Sequence, residues 1–439
     1  MMMDRANLTD WVVDKALIAG ANECAVTLTN QRQVSVEMRE HLTEKLEESV
    51  QNSLSLSLYV DGRFSSHSTN DLRTDALDAF IREAVVTTRY LTPDPYRELP
   101  DPKLYPVNMD RDLDVLDNSY NEIETVSRID IAQRIEDAAL AVSDQIISAT
   151  TGYSDVYYQI IRRHSNGFSG EITATLFDFG AEVTVKDPDG GRPSDWARAV
   201  SRHRHDLPDP AEIGRQAAER ALRKIGQGKI ASGSYDMIVE NRSAGKLVSM
   251  LLGPMSARAL QQKSSWLEDM LGKTVAPDFF TIHDEPFIER GLGSRLFDYE
   301  GLAVNRRVLI DKGVLSEYLV DNYYGKKLGM TPNSGATTNL LFDYGCESAK
   351  EMIAGMGKAI LITGFLGGNY NATTGDFSFG IVGYLIENGE YARPVNEMNI
   401  SGNARELWRQ LIKMGNDPYL YSSNRVPSMV FHDIQFSGI

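Results

Sequence analysis

Apolar residues in the first half of the chain change repeatedly between a helical spacing and the strict alternation of a β-strand. The helical spacing predicts helices from Leu8 to Gly20, from Asp71 to Leu91 and from Ser127 to Ser148. A fourth helix is expected to start at Pro210, because Asp209 is a good N-cap and proline suits the first helical position. Helices therefore recur throughout this half.

Strands are predicted between these helices, where apolar residues occupy every second position. The alternating sets start at Cys24, Val34 and Leu54, and further strands are expected from Tyr153 to Lys186 around an Asn166-Gly167 turn. The basic stretch from Arg192 to Arg204 is expected to be a solvated loop and a helix end. The first half thus passes twice through helix and antiparallel strands, without a shared motif that would mark a repeat.

Two stretches divide the chain. Five prolines between Thr92 and Pro106 predict an extended connector within the N-terminal region. Glycines near 227–233 predict a domain boundary, with an N-terminal α+β domain over 1–228 and a C-terminal β-rich domain over 229–439. Few helices are expected in the second domain, chiefly Ser243–Leu260 and Asn403–Met414. The predicted fold class is therefore α+β, with antiparallel strands and covering helices first.

The stretch from Gly364 to Pro394 is the most distinctive of the C-terminal half. It combines a glycine-rich turn, a Thr373-Thr374-Gly375-Asp376 corner and an alternating strand that begins at Phe377. The Asn388-Gly389 pair that follows is typical of a two-residue β-hairpin. The segment therefore predicts two antiparallel strands with a tight corner before them.

Composition narrows the class of protein. The 439 residues, 42% of them apolar, suffice for two domains, and no run of about 18 apolar residues predicts a membrane span. The start of the sequence lacks the apolar segment of a signal peptide, so a cytoplasmic location is expected. A net charge of −16 argues against direct binding of nucleic acid. Cys24 and Cys346 are expected to be reduced and buried.

Metal-ligating patterns are scarce. None of the seven histidines lies in a His-Glu-x-x-His or His-Glu-x-x-x-His motif. His203 and His205 share one face if their segment is a strand, but neighbouring arginines disfavour a dication there. Asp298 and Glu300 also alternate along their segment, and either a structural hydrogen-bond network or the binding of a peptide terminus remains open for them.

Several separated motifs together resemble the C-terminal domain of the PmbA/TldD family. They are Ser264-Ser265-Trp266-Leu267, the stretch Ser294–Gly301, Gly329-Met330-Thr331-Pro332 and the segment from Gly364 to Pro394, in the order that the family has. The resemblance implies a metallopeptidase-related protein. It also brings the family's label of gyrase modulator, which the acidic charge makes improbable as direct DNA binding.

The resemblance further implies where zinc ligands would lie. Counted back from Ser264, the His-Glu-x-x-x-His motif of TldD-type members falls at Val248–Gly253, which contains neither histidine nor glutamate. The late cysteine ligand is missing from Pro418–Pro427. The chain therefore looks like the PmbA (TldE)-type branch, with no catalytic residue, no metal ligand and no cofactor of its own, and with zinc expected in a TldD-type partner.

By this resemblance, the chain is expected to be a non-catalytic subunit of a two-component zinc metallopeptidase that acts on unfolded or precursor peptides. The residues expected to contact peptide are Ser265, Trp266, Asn369, Thr374, Gly375, Asp376 and Phe377. An autonomous homodimer that binds peptides or a protein without proteolysis is the alternative. A self-contained peptidase with an unrecognised site is a weaker third possibility.

Overall fold

The computed structural model of the protein describes residues 4–439. Its N-terminal part is a six-stranded antiparallel sheet with four helices against one face. The strands are β1 (Glu23–Arg39), β2 (Leu42–Val60), β3 (Arg63–Thr69), β4 (Ile146–His164), β5 (Ser169–Val185) and β6 (Ser194–Ser201). The helices are α1 (Arg5–Ile18), α2 (Thr74–Thr88), α3 (Thr125–Leu140) and α4 (Pro210–Leu222).

This first sheet consists of two halves with the same order of elements. The strand order is β3-β2-β1-β4-β5-β6, so each half runs helix, three strands, helix. The halves meet where β1 pairs antiparallel with β4, from Ala25 opposite His164 to Met38 opposite Thr151. One continuous sheet therefore carries both rounds of helix and strand that the sequence predicts.

The alternation of β1 decides which face bears the helices. Val26 and Leu28 are buried in the cluster under α1 and α2, whereas Val36 and Met38 are buried in the cluster under α3 and α4. Since all four have even numbers, they point to the same side of the strand. The helices thus lie on one face, and none of α1 to α4, the helices described for this part over residues 4–222, lies on the opposite face of the first sheet.

The C-terminal part is built around a barrel-like second sheet in the order β14-β13-β12-β7-β16-β15, closed by pairing of β14 with β16. A smaller sheet has the order β10-β9-β8-β11. The strands are β7 (Gly233–Val239), β8 (Ile282–Asp284), β9 (Arg307–Asp311), β10 (Val314–Leu315), β11 (Leu340–Phe342), β12 (Lys358–Tyr370), β13 (Asp376–Glu387), β14 (Glu390–Asn403), β15 (Leu411–Met414) and β16 (Met429–Ser437). The helices are α5 (Asn241–Leu252), α6 (Ala257–Gln261), α7 (Asn322–Leu328), α8 (Ala349–Ala354) and α9 (Ala404–Arg409). The α+β class is confirmed.

Charged side chains join the two parts. Asp195 of β6, 3% exposed, is paired with Arg220 of α4, with Lys224 just after that helix and with Arg242 of α5. Arg220 also binds Glu240 through two hydrogen bonds of 2.7 Å. Residues 223–232 connect α4 to β7, and a domain boundary in this segment stays a prediction.

Several predicted elements are confirmed. Asp209 accepts a hydrogen bond from the Ala211 amide at 3.3 Å and caps α4 with Pro210 in its first turn. The Asn388-Gly389 turn joins β13 to β14, with positive φ at both residues. The hairpin of β4 and β5 encloses Asn166-Gly167. No helix among residues 4–439 is long and apolar enough to cross a membrane.

Other boundaries differ from the prediction. The helix expected over Ser127–Ser148 ends at Leu140, because the chain turns there and Ile146 already begins β4. The helix expected over Ser243–Leu260 is two helices, α5 and α6, interrupted at Gly253-Pro254, since proline cannot continue a helix from within.

Three further expectations were wrong. Within Asn403–Met414 only α9 is helical, and the chain then enters β15 at Leu411. The stretch Arg192–Arg204 contains a strand, β6, whose inward residues pack under α4, rather than a loop and helix end. Cys24 is buried as expected, but Cys346 is exposed because it lies in the turn region before α8.

Candidate peptide-binding site

Helix α5 lies beside β12 and forms the wall of the site that the sequence motifs indicate. At its start, Ser243 Oγ donates to the carbonyl of Thr363 at 2.8 Å. At its end, the hydroxyl of Tyr370 donates to the carbonyl of Met250 at 2.8 Å. Between them, the Lys246 ammonium lies 4.9 Å from the centre of the Phe379 ring on β13. The helix is thus fixed against the strand at both ends.

The stretch Val248–Gly253, where the family resemblance leads us to expect the zinc motif, lies at the end of α5. Val248, Met250 and Leu251 are at most 1% exposed and belong to the core of the C-terminal part. Ser249 is exposed, and its hydroxyl donates to the carbonyl of Lys246 at 2.6 Å. Valine and leucine offer no electron pair to zinc, and the stretch contains none of the Cys, His, Asp or Glu residues that bind this ion, so it does not fit a zinc ion.

Ser265 and Trp266 are structural in this arrangement. Trp266 is 1% exposed, and its indole N–H is 2.7 Å from the Tyr370 hydroxyl and 3.3 Å from the carbonyl of Met250. Burial raises the pKa of Tyr370 to about 12, so the hydroxyl remains protonated and serves as donor and acceptor. Ser265 Oγ donates to the carbonyl of Pro254 at 2.6 Å. These contacts tie the turn after α6 to the ends of α5 and β12.

The predicted corner between β12 and β13 forms and satisfies most of its own polar groups. Thr374 Oγ1 donates to Asp376 at 2.6 Å, and the Asn403 amide donates to the other Asp376 oxygen at 2.9 Å. The hydrogen bond from Thr374 is the main cause that lowers the pKa of Asp376, and the bond from Asn403 lowers it further. Gly375 has a φ of +88° and lies against Asn403. The segment from Asn371 to Asp376 is therefore a closed polar loop.

Phe377 and Asn369 differ sharply in exposure. Phe377 is 6% exposed and stacks on Phe379, with ring centres 5.5 Å apart, inside the core. Asn369 is exposed at the end of β12, opposite Ser378. The structure thus brings six of the seven predicted residues together around one corner, with Asn369 two positions before it, and leaves Asn369, Thr374 and Asp376 accessible.

The glycines expected to form a turn from Gly364 to Gly368, and to offer main-chain groups to a peptide, lie within β12, along a part of the strand that has a free edge. Strand β7 pairs in parallel with Ala359–Ile362 only, so the rest of β12, from Gly364 to Tyr370, extends past its neighbour on that side. Leu366 is 48% exposed there, and Gly367 and Gly368 both have positive φ. An unpaired strand edge offers main-chain donors and acceptors to an extended peptide. The glycine run hinted at this irregular edge, but the pairing of β7 was needed to locate it.

One group of potential metal ligands occurs among residues 4–439. Ligand atoms of Asp117, His203 and His205 lie within 4.8 Å of one another. However, the guanidinium of Arg290 is 3.1 Å from His205 Nε2 and also binds Asp114 and Asp206. Because this cation already neutralises the neighbouring carboxylates, the group is best described as part of an ion-pair network between the two parts of the chain.

Asp298 and Glu300, for which two roles remained open, are both held by backbone amides. Asp298 Oδ1 accepts from the amides of Glu300 and Leu302 at 2.8 and 2.9 Å. Glu300 accepts from the Asn322 amide at 2.8 Å, while burial, and then the nearby carboxylates Asp298 and Asp321, raise its pKa to about 7. These contacts fit the structural hydrogen-bond network.

Comparison with known proteins identifies the relatives of this chain. Residues 232–438 match the PmbA/TldA metallopeptidase C-terminal domain, and residues 119–225 match the central domain of the same family. Metalloprotease PmbA of Escherichia coli O157:H7 is 29% identical over 426 residues, which are 96% of this chain and 94% of that protein.

Two solved structures are similar to this chain over nearly its whole length. A Bacteroides thetaiotaomicron protein, described as a candidate modulator of DNA gyrase, is 40% identical, with a TM-score of 0.97 and complete coverage of both chains. TldE of Thermococcus kodakarensis has a TM-score of 0.86 at 17% identity, covering 98% of this chain and all of that one. The second likeness concerns the fold alone.

Proposed function

Because this chain belongs to the PmbA/TldD metallopeptidase family, we propose that it is the non-catalytic subunit of a two-component zinc metallopeptidase. In this assembly a TldD-type partner holds the zinc, and the present chain helps to bind unfolded or precursor peptides. The observation that carries the proposal is the end of α5, where Val248, Met250 and Leu251 are buried apolar residues in an otherwise family-like scaffold. A chain of this kind depends on another subunit for hydrolysis.

The free edge of β12 is the part of the site best suited to hold a peptide. Main-chain pairing with the stretch from Gly364 to Asn369 would supply affinity without strict sequence preference, as unfolded substrates require. Exposed side chains near the edge, Asn369 and Asp376, would then contact the peptide's side chains. The buried Trp266 and Phe377 support this edge from below rather than contacting peptide themselves.

Cleavage of an unfolded peptide by this chain alone and mixed with a TldD-type protein tests the proposal, with zinc measured by elemental analysis. We expect activity and zinc in the mixture only. Zinc and activity in this chain alone would overturn our account of α5. Inactivity of both preparations, together with peptide binding by a homodimer, would favour the non-proteolytic alternative.

A matched pair of variants tests the role of the β12 edge. Leu366 and Leu271 are 48% and 49% exposed, so replacing either with arginine changes charge and size at a similar surface position. We expect Leu366→Arg to lower the activity of the mixture about tenfold, the effect of roughly 1.4 kcal/mol, and Leu271→Arg to leave it unchanged. Equal effects of the two variants would remove the edge from the proposal.

A further inference from the structure

The face of the first sheet opposite the four helices contains a trough of about 520 Å³. One row of residues crosses its floor, with Glu37 on β1, Gly152 on β4, Gly180 on β5 and Arg198 on β6 directly opposite one another in turn. Because the two glycines are neighbours in this row, two side chains are missing from its middle. The gap is bounded by Glu37 on one side, with Lys45 beside it, and by Arg198 on the other, where Asp178 and Glu182 also line the trough.

The two glycines are not equally required by the fold. A Cβ on Gly180 would come within 2.7 Å of the carbonyl oxygen of Ala197, so the backbone itself excludes a side chain there. A Cβ on Gly152 would meet nothing closer than the Val36 carbonyl oxygen at 3.7 Å, an ordinary contact. Glycine weakens a strand interior, and where packing does not demand it, close approach of another molecule is a common reason.

The charges at the two ends of the trough are available for a ligand. Lys45, which lies opposite Glu37, is paired with Glu47 at 2.9 Å, and the Glu37 side chain is exposed. Arg198 uses its Nε on Asp178, and a guanidinium has four further N–H donors. The α-carbons of Glu37 and Arg198 are separated by three strand spacings, about 14 Å.

We propose that this trough binds a short peptide through its free termini, with the α-ammonium at Glu37 and the α-carboxylate at Arg198. An extended chain advances about 3.5 Å per residue, so two or three residues fit between the charged ends of the two side chains. The peptide backbone then lies over Gly152 and Gly180, where no side chain obstructs it. Each terminus makes a charge-assisted hydrogen bond, the stronger kind in proteins.

This inference goes beyond the proposed function, because the site is complete within one chain and needs neither zinc nor a partner. If the chain does work in peptide breakdown, a ligand of this kind has the size of a cleavage product. Trp196, 41% exposed on the wall of the trough beside Arg198, offers an apolar surface to the last side chain of such a peptide.

Isothermal titration calorimetry of the full chain with trialanine at low salt tests the site. We expect trialanine to bind and its N-acetylated, C-amidated form not to bind. Glu37→Gln and Arg198→Gln should each weaken binding by about tenfold or more, the loss expected for one charge-assisted hydrogen bond. Both residues are exposed, so neither variant alters the core of the sheet, and thermal unfolding checks the loss of the Arg198–Asp178 pair.

The glycine floor is tested by Gly152→Val, which should abolish binding without lowering the melting temperature. As a control, Gln31→Val places a valine on the same face of the sheet, on β1 and several rows from Gly152. This variant should bind trialanine as the natural chain does. Undiminished binding by Gly152→Val, equal binding of the blocked peptide, or no binding of trialanine by the natural chain would each overturn the proposal. Failure of the mixed cleavage assay would not, since binding is measured on this chain alone.

Discussion

The corner that precedes β13 and the trough on the first sheet are both built around glycines, yet they use them differently. At the corner, Gly375 has a φ of +88°, and a Cβ on Gly368 would come within 2.2 Å of the Ser378 carbonyl oxygen. In the trough, Gly152 has an ordinary strand conformation and free space above it. The conspicuous glycine motif is therefore mainly a backbone device, whereas the isolated strand glycine leaves room for another molecule.

The polar residues of the two regions differ in the same sense. At the corner, Asp376 accepts hydrogen bonds from Thr374 and Asn403, and few polar atoms are left over. In the trough, Glu37 and Arg198 face each other across a gap that nothing in residues 4–439 fills. The polar groups of the corner thus bind one another, whereas Glu37 and Arg198 keep acceptors and donors open to solvent.

The largest expected difference is in the stability lost when Trp266, beside the corner, and Trp196, on the wall of the trough, are each replaced by alanine. Trp266→Ala should lower the free energy of unfolding by about 3–5 kcal/mol, because a fully buried ring and its hydrogen bond to Tyr370 are lost. Trp196→Ala should cost less than about 1 kcal/mol, mainly the stacking of Arg242 4.3 Å from its ring. Urea unfolding of both variants measures this, and similar losses would mean that the trough is as structural as the corner.

Alanine at the two glycines should change stability in opposite directions. Gly375→Ala is expected to cost about 1–2 kcal/mol, since its left-handed backbone is unfavourable for a residue with a Cβ. Gly152→Ala is expected to gain about 0.5 kcal/mol, because alanine is better than glycine inside a strand with room for it. Thermal unfolding by calorimetry gives both signs. A loss at Gly152 comparable to that at Gly375 would contradict the distinction drawn between them.

The smallest expected effect is in the titration of two aspartates. Hydrogen bonds lower the pKa of Asp376 below its ordinary 3.8, so its contribution to stability exists above that value and is lost as the pH falls through the folded-state pKa. Burial raises the pKa of Asp178 despite the neighbouring Arg198, so its contribution exists below 3.8 and is lost as the pH rises. Carboxyl carbon NMR, assigned with Asp→Asn variants, should find the two midpoints on opposite sides of 3.8.

The fold class and most strands could be predicted because a strand with one buried face has apolar and polar residues in alternation along its sequence. Strand β1 nevertheless looked like two strands, since Asn30 and Arg32 interrupt its apolar positions. In the structure these residues lie between the core under α1 and α2 and the core under α3 and α4, and they belong to neither. The apolar residues of β1 therefore indicate where helices pack on the strand, and they do not indicate where the strand begins and ends.

The overextended prediction for α3 has a related cause. Val142 and Ile146 continue the apolar spacing of the helix beyond Leu140, and both pack against the same core. Burial by itself does not distinguish a helix from the turn and strand that follow it on the same surface. Helix ends that lack a glycine or proline signal are therefore the least predictable boundaries.

The corner was visible in the sequence because its residues are consecutive, and its gathering with Ser265 and Trp266 followed from the family motifs. Whether those residues were exposed could not be predicted, since burial depends on α5 and β12 packing together. The trough could not be predicted from the sequence. Its row combines Glu37, Gly152, Gly180 and Arg198, which become neighbours only through the registers of β1, β4, β5 and β6.

The pairing of β1 with β4 also has a consequence for how the chain acquires its shape. Each three-stranded half consists of hairpins between strands adjacent in sequence, whereas the central partners, such as Met38 and Thr151, are about 110 residues apart. Closing so large a loop lowers the entropy of the chain, and the contacts between β1 and β4 offset this loss only after the loop has closed. During synthesis, β1 therefore keeps one edge unpaired until β4 leaves the ribosome, and an unpaired edge of this kind can bind a strand of another chain in the meantime.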